Sequence, residues 1–385
     1  MESMYRKIIF SIFLLTTVCE QAAGREVRQI TPPNLSEAHL GKKILCHRPM
    51  RRGVPKMEVE QIGSKTVIHN FGHGGSGWTL GPGCAQYVVA LLEQTLPNNI
   101  LSTTAPITVI GAGALGLYTA YELVQKGCVV TVVAESFDNL TSHNAGGLLA
   151  PVSMDNAPEL QPAIDKIGID AYLFYKAIAQ HQPGFPFQKG AVIVPTYFRI
   201  REDSGLEPYV GKVMQAAKDV TLDFGTGTTQ DMVSYDDGIF IDTAIMMESL
   251  TMYLKAQGVT FVQKRVQNFD ELADTFIFNC TGLNSKGLYE DDQMISVQGH
   301  LIMLKDQDPQ DLQYMALTYG EYFTDSSGNT GKRSFYMFPK QLPGTGVNDV
   351  GVIGGTFIEG ATPETPNLEE FDRIIQGAKD FYGIK

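Results

Sequence analysis

The pattern of apolar and polar positions changes period twice between Ala105 and Glu135. Residues 107–110 form a short β-branched run that breaks into Gly111, Gly113 and Gly116. Leu117, Tyr121 and Val124 then recur at helical spacing until Gly127, which predicts a helix stopped by glycine. A second β run, 129–133, leads to Glu135. Strand, GxGxxG turn, helix, strand and acid in that order predict a βαβ unit that holds a dinucleotide. The glycines let the backbone approach a pyrophosphate at the helix N-terminus, where unpaired N–H groups and the helix dipole favour negative charge. Glu135 is placed to accept hydrogen bonds from ribose hydroxyls.

Elsewhere the periods are shorter. Residues 66–69 predict a strand entering a loop rich in glycine (Gly72, Gly74, Gly75, Gly77, Gly81, Gly83), with a helix leaving it at about Cys84. Composition alone makes this a surface loop; the helix start behind it would equally let a flat ligand lie against backbone. Further helices are predicted over 165–181, 242–257 and 368–381, and strands over 191–194, 259–266, 276–282, 300–304, 334–338 and 350–357. Pro32, Pro33, Pro49 and Pro55 exclude a long helix from 25–61, and 96–104 reads as a polar linker. Residues 1–24 stand apart: Arg6 and Lys7 precede the apolar run IIFSIFLL, and Ala22, Ala23 and Gly24 close the segment. That is the pattern of a secretory signal, too short in its apolar run to span a bilayer comfortably. It predicts a secreted or periplasmic protein with no stable membrane span once the signal is removed.

The chain has 385 residues, 43% hydrophobic and 19% charged, enough for a sizeable core and two domains. Its net charge of -12, with no basic run, argues against nucleic acid as a partner. Beyond the signal, Cys46, Cys84, Cys128 and Cys280 are sparse and lack metal-ligand spacing, so no metal site is expected; Cys128 and Cys280 read as core residues.

Several segments together resemble the D-amino-acid oxidase family of flavoproteins: VIGAGALGL, VVAESFDNLTSHNAGGL, GVTFVQKRV followed by FIFNCTGLNSKGL, SVQGHLIMLK, YMFPKQ, IGGTF, HRPMR and VIHNFGHGGSGWT. The resemblance spans most of 44–385 and is weakest over 155–230. In that family the dinucleotide strand opens the chain, whereas the Arg-Pro-x-Arg strand and the HNxGHGG loop close it; here those pieces, at 48–51 and 69–75, come first. The resemblance therefore implies a circularly permuted order, with 96–104 joining the old C-terminal helix to the first strand. It implies an α/β fold, a Rossmann-like FAD-binding domain interleaved with an α+β substrate domain built on a mainly antiparallel sheet. After the signal at 1–24, the FAD-binding domain would take 62–153 and 241–295, and the substrate domain 154–240 and 296–385 with 25–61.

The cofactor implied is FAD. Gly111, Gly113, Ala114 and Gly116 would hold its pyrophosphate and Glu135 with Ser136 its ribose, while Val266 would lie beside the adenine through its backbone. Ser142, Ala145, Gly146, Gly147 and Gly282 would also approach it. Gly74, Gly75, Gly77, Trp78 and Thr79 would meet the pyrimidine end of the isoalloxazine, where backbone N–H groups favour the charge of the reduced ring. By the same resemblance Arg48 binds the substrate α-carboxylate, Tyr336 contacts the substrate, and Gly75 completes the catalytic set. Without the resemblance Arg48 would read as a surface charge and Tyr336 as a strand tyrosine. Arg51 would be structural, and so would His73, since positioning rather than a protein base would carry the rate. Lys332 stands four residues before Tyr336, where the family pattern has a second tyrosine; Tyr319 or Tyr322 could replace it. Gln298 stands where an arginine is common.

The activity implied is oxidative deamination of an amino acid, of D configuration in the family pattern, by hydride transfer from Cα to flavin N5. The imine would hydrolyse to a 2-oxo acid and ammonia, and dioxygen would become hydrogen peroxide. A quinone-linked dehydrogenase of amino acids or of sarcosine- or glycine-type amines, an inert flavin-fold binding protein, and a nicotinamide-dependent dehydrogenase are the competing readings. Self-association into a homo-oligomer stays open.

Overall fold

The βαβ unit forms as strand Pro106–Ile110, helix Ala114–Gln125 and strand Val129–Ala134. A computed structural model describes residues 25–97, 105–152 and 154–385. The expected signal at 1–24 and most of the 96–104 linker lie outside the described residues. The unit sits in a six-stranded sheet whose order is Thr260–Gln263, Val129–Ala134, Pro106–Ile110, Phe276–Asn279, Lys65–His69 and Val59–Ile62. The first five strands are parallel; Val59–Ile62 runs antiparallel at the edge. This edge strand corrects the expected boundary at 62, because the sheet already begins at Val59.

Lys65–His69 feeds a single 3-10 turn, Gly74–Ser76, and then a 19-residue helix, Gly77–Thr95. The helix starts seven residues before Cys84, so much of the expected glycine loop is helical. Its glycines serve packing: a Cβ on Gly81 would fall 2.7 Å from the Tyr118 ring, and one on Gly83 would fall 2.1 Å from the carbonyl oxygen of Ile167. Pro82, inside the helix, cannot donate to the Trp78 carbonyl one turn back; the Tyr175 hydroxyl donates to it instead, at 2.7 Å. Helix Gln161–Ala179, which carries Tyr175, thereby locks the first turn of Gly77–Thr95 in place.

The second layer is a nine-stranded, mainly antiparallel sheet. Its site-forming half runs Met315–Thr324, Thr330–Gln341, Val350–Glu359, Met294–Leu304 and Leu40–Arg51. The strand Leu40–Arg51 is twelve residues long and lies at the sheet edge, the place where Pro49 and its missing N–H are tolerated. Helix Glu370–Tyr382 covers one face of this sheet, packing Phe371, Ile374, Ala378 and Phe381 against Ile302, Met337 and Ile353. The opposite face, carrying Leu301, Tyr336 and Phe338, turns toward the six-stranded sheet. Helix Thr243–Ala256 begins where Asp242 accepts the backbone N–H of Ile245 at 3.1 Å. Among the described residues no helix is long and apolar enough to cross a membrane.

Candidate active site

One cavity of about 1300 Å³ runs from the carboxyl ends of the parallel strands to the inner face of the nine-stranded sheet. It opens where Ile110, Ala134 and Cys280 leave neighbouring strands, the crevice in which open α/β sheets bind ligands. Gly111 makes the first turn with φ +108°, and its N–H donates to Val133 at 2.8 Å. A Cβ on Gly111 would lie 2.4 Å from the Cys280 carbonyl oxygen, and one on Gly116 would lie 2.0 Å from that of Gly111. Gly113 differs: a Cβ there would meet only the Ser142 hydroxyl, at 3.1 Å. Gly111 and Gly116 are therefore glycine so that the turn can close, and Gly113 keeps backbone bare toward the cavity.

Two helix N-termini face this space. Gly113, Ala114 and Leu115 bring one of them, and Gly77 and Trp78 the other. Neither helix has an acidic residue in its first turn. Their positive ends are thus left for an anion to neutralise. A dinucleotide fits this donor set and the bare backbone around it.

Of the residues expected to hold a cofactor, all but two line this cavity. Gly74, Gly75, Gly77, Trp78, Gly111, Gly113, Ala114, Glu135, Ser136, Ser142, Ala145, Gly146, Gly147, Val266 and Gly282 all line the cavity. Gly116 is packed behind the turn. Thr79 is buried, its hydroxyl donating to the Ala150 carbonyl at 2.9 Å and accepting the Ala150 N–H at 3.2 Å. Thr79 is corrected from a wall residue to the group that fixes the segment after Gly147. Ser142 accepts the Ala114 N–H at 3.0 Å, and its carbonyl accepts the Trp78 indole at 3.0 Å, so it ties both helix starts together.

At the far end lie Arg48 and Tyr336. The Arg48 guanidinium donates to the Thr356 carbonyl at 3.1 Å and has no carboxylate partner among the described residues. It packs where Gly299 has no side chain, since a Cβ there would lie 2.5 Å from its Nη1. Arg51, three residues on, is paired with Asp291 at 2.8 Å and donates to the Val54 carbonyl at 3.0 Å. One arginine of the Arg-Pro-x-Arg segment is thus consumed by the fold, while the other keeps open donors in a cavity. Tyr336 stacks on Phe338 at 4.6 Å with an interplanar angle of 4°, over Gly354. Burial pushes its phenol up to about 12, with Arg48 opposing, so it stays a neutral donor at physiological pH.

Of the two tyrosines considered for the missing lid position, Tyr319 lines the cavity and Tyr322 is 73% exposed. His73 is buried, with Nε2 3.3 Å from the Cys84 sulfur, and burial pushes it down to about 3. It is neutral across the physiological range. Ser334, Glu202 and Asp203 also line the cavity and were missed. Ser334 could have been found by stepping back two positions along the strand from Tyr336; the two acids sit in the stretch with the weakest sequence signal.

Lys340 continues the same strand. It is 0% exposed, and its ammonium donates to the Thr243 hydroxyl at 2.7 Å and the His143 carbonyl at 3.2 Å, just before Ala145 and Gly146. Burial pushes it down to about 8 from an ordinary value of 10.5. Between those two values the unfolded chain binds the extra proton, so stability rises with pH across the window and the full penalty applies below it. Comparing denaturant unfolding of the wild type with Lys340→Met from pH 7 to 10.5 should show the wild type gaining roughly 3 kcal/mol on the variant. A flat difference would mean that burial does not push the Lys340 ammonium down.

A family model described as FAD dependent oxidoreductase matches residues 106–384. A D-amino-acid oxidase of Dictyostelium discoideum is 27% identical over 208 residues, covering 52% of this chain and 57% of its own. One from Rubrobacter xylanophilus is 46% identical over 60 residues, covering 14% of this chain and 18% of its own. The chain thus spans only part of the length of these two relatives. Human D-aspartate oxidase is 26% identical over 287 residues, covering 71% and 74%. Among solved structures, iminodiacetate oxidase from Chelativorans sp. BNC1 has a TM-score of 0.51 at 13% identity, covering 72% of this chain and 79% of that one, a likeness of fold.

Proposed function

This chain belongs to the FAD-dependent oxidoreductase family, and from that premise we propose that it oxidises the α-carbon of an amino acid of D configuration. The observation that carries the reading is Arg48, a guanidinium without a carboxylate partner among the described residues, beside Tyr336 in the cavity that holds the glycine cradle. A guanidinium meets a carboxylate through two parallel charge-assisted hydrogen bonds, which fixes the orientation of the bound acid. Tyr336 offers its neutral hydroxyl to the substrate, and its ring with that of Phe338 makes an apolar wall that excludes water. Bound FAD would supply the hydride acceptor for the Cα–H, with dioxygen or a quinone as its later oxidant. His73, neutral and turned to Cys84, leaves the chemistry to positioning. The D-amino-acid oxidases among the relatives favour the D hand.

The permuted order belongs to the same reading. Segments 48–51 and 72–78 precede the matched region, yet supply Arg48 and one helix N-terminus to the cavity. Ile30 donates to Asp223, and Thr226, in the turn that follows, donates to the Tyr382 carbonyl, so the two ends of the described fold meet at one turn. Secretion or periplasmic residence rests on the 1–24 pattern alone. The deciding experiment is anaerobic visible absorbance of the purified protein with D- and L-amino acids and N-methyl amines. Bleaching of a flavin band by one enantiomer is expected; a flavin band that no amine bleaches would overturn the proposal.

A further inference from the structure

Four alternate residues of one strand, Lys332, Ser334, Tyr336 and Phe338, line the cavity. Phe338 and Tyr336 form the deep wall, and the Ser334 hydroxyl is held by the Gly355 carbonyl at 2.9 Å. Lys332 ends the row. Its ammonium has no carboxylate partner among the described residues and lies 4.1 Å from the centroid of the Tyr319 ring. Lys332 is paired in register with Tyr322, whose ring is 5.4 Å from the ammonium, whereas the nearer Tyr319 ring faces Ser334 one step deeper, so the lysine leans inward. The Tyr319 hydroxyl donates to the Asp203 carbonyl at 3.2 Å, which holds the ring in this attitude.

The second cation stands close to the first. Lys332 is paired in register with Phe357 of the neighbouring strand, and the Arg48 guanidinium lies 5.9 Å over the Phe357 ring. Side chains directly opposite on adjacent strands are about 5 Å apart at Cβ. Phe357 therefore lies between two cations that form no ion pair among the described residues, Arg48 over its ring and Lys332 opposite it in register. Arg48 answers one carboxylate; nothing else on the proposed substrate requires Lys332.

We infer that Lys332 selects substrates carrying a second acid group, so that the preferred substrates are dicarboxylic amino acids. Arg48 takes the α-carboxylate and Lys332 the distal one, the carbon chain lying over Phe357. Asp203 and Glu202 lie at the same mouth. Asp203 is near enough for Lys332 to oppose the upward push of burial on its carboxyl, yet forms no ion pair with it, so the ammonium keeps open donors. A cationic side chain would have to pass Lys332 to reach these acids. The inference rests on the amino-acid reading above and adds the side-chain class.

The test uses the flavin-loaded protein, aspartate and glutamate against asparagine, glutamine, alanine and lysine, and the variants Lys332→Met and Lys332→Arg. One charge-assisted hydrogen bond corresponds to roughly 10–100-fold, so the acids should exceed their amides by about that ratio in kcat/KM. Lys332→Met should remove the ratio mainly through KM while leaving the amides within about 2-fold, and Lys332→Arg should restore most of it. Equal turnover of acid and amide, preference for lysine, or a parallel loss on acids and amides in Lys332→Met would each overturn the inference. A second readout needs no turnover: succinate should bind at least about 10-fold tighter than butyrate by perturbation of the flavin band, and Lys332→Met should abolish the difference. If no amine reduces the flavin, the oxidase reading falls while the succinate comparison still decides Lys332.

Discussion

Replacing Arg48 by leucine is expected to raise KM for every amino-acid substrate roughly 10²–10³-fold while the protein keeps its flavin. Truncating one partner of a buried, hydrogen-bonded charge pair costs about 2–5 kcal/mol, and each 1.4 kcal/mol is about tenfold. Among the described residues Arg48 makes one hydrogen bond, to the Thr356 carbonyl, so most of its donors are open to a ligand and little fold stability rides on them. Arg48→Lys keeps the charge but loses the second parallel donor, and an intermediate loss of about tenfold is expected. Steady-state kinetics beside the flavin content of each variant separates the two effects. The matching change at Arg51 behaves differently, because Arg51 neutralises Asp291: Arg51→Leu should lower stability and leave the KM of the surviving protein near that of the wild type. An unchanged KM in Arg48→Leu would remove the carboxylate role.

How much of this was legible in the sequence depends on what each pattern had to satisfy. The βαβ unit was readable because strand period, glycine turn and helix period are local, and its turn residues have no other reason to be glycine. The long helix from Gly77 was hidden because glycine and proline weigh against a helix locally, whereas here tertiary contacts demand them: Gly81 admits Tyr118, Gly83 admits the Ile167 carbonyl, and Tyr175 repairs the bond that Pro82 breaks. Only 334–338 of the strand Thr330–Gln341 showed, since both of its faces are buried there. Phe335 and Met337 pack toward the helix Glu370–Tyr382 while Tyr336 and Phe338 face the cavity, so the run reads as continuously apolar rather than alternating. The same two-sided burial hid Ser334. Arg48 could be picked from its neighbours only by resemblance; the physical difference between it and Arg51 is a partner, Asp291, that lies 240 residues away. Long-range pairing of this kind leaves no local trace.

The glycine turn yields the sharpest separation of fold from cofactor. Gly116→Ala is expected to destabilise the protein by about 3 kcal/mol or more, because its Cβ would overlap a backbone oxygen at 2.0 Å that cannot rotate away. Gly113→Ala should cost the fold little: its φ of -74° suits any residue, and its Cβ would press only on the Ser142 hydroxyl. That Cβ would nevertheless stand at the mouth of the helix N-terminus, where the pyrophosphate is expected to receive backbone N–H groups. FAD affinity of Gly113→Ala should therefore fall roughly 10–100-fold with the melting temperature of the apoprotein nearly unchanged. Fluorescence titration of apoprotein with FAD, alongside thermal unfolding of the same samples, measures both. Full affinity in a folded Gly113→Ala would move the pyrophosphate away from this turn. Loss of fold in both variants would mean instead that Gly113, like Gly116, is glycine for the sake of the chain rather than of the ligand.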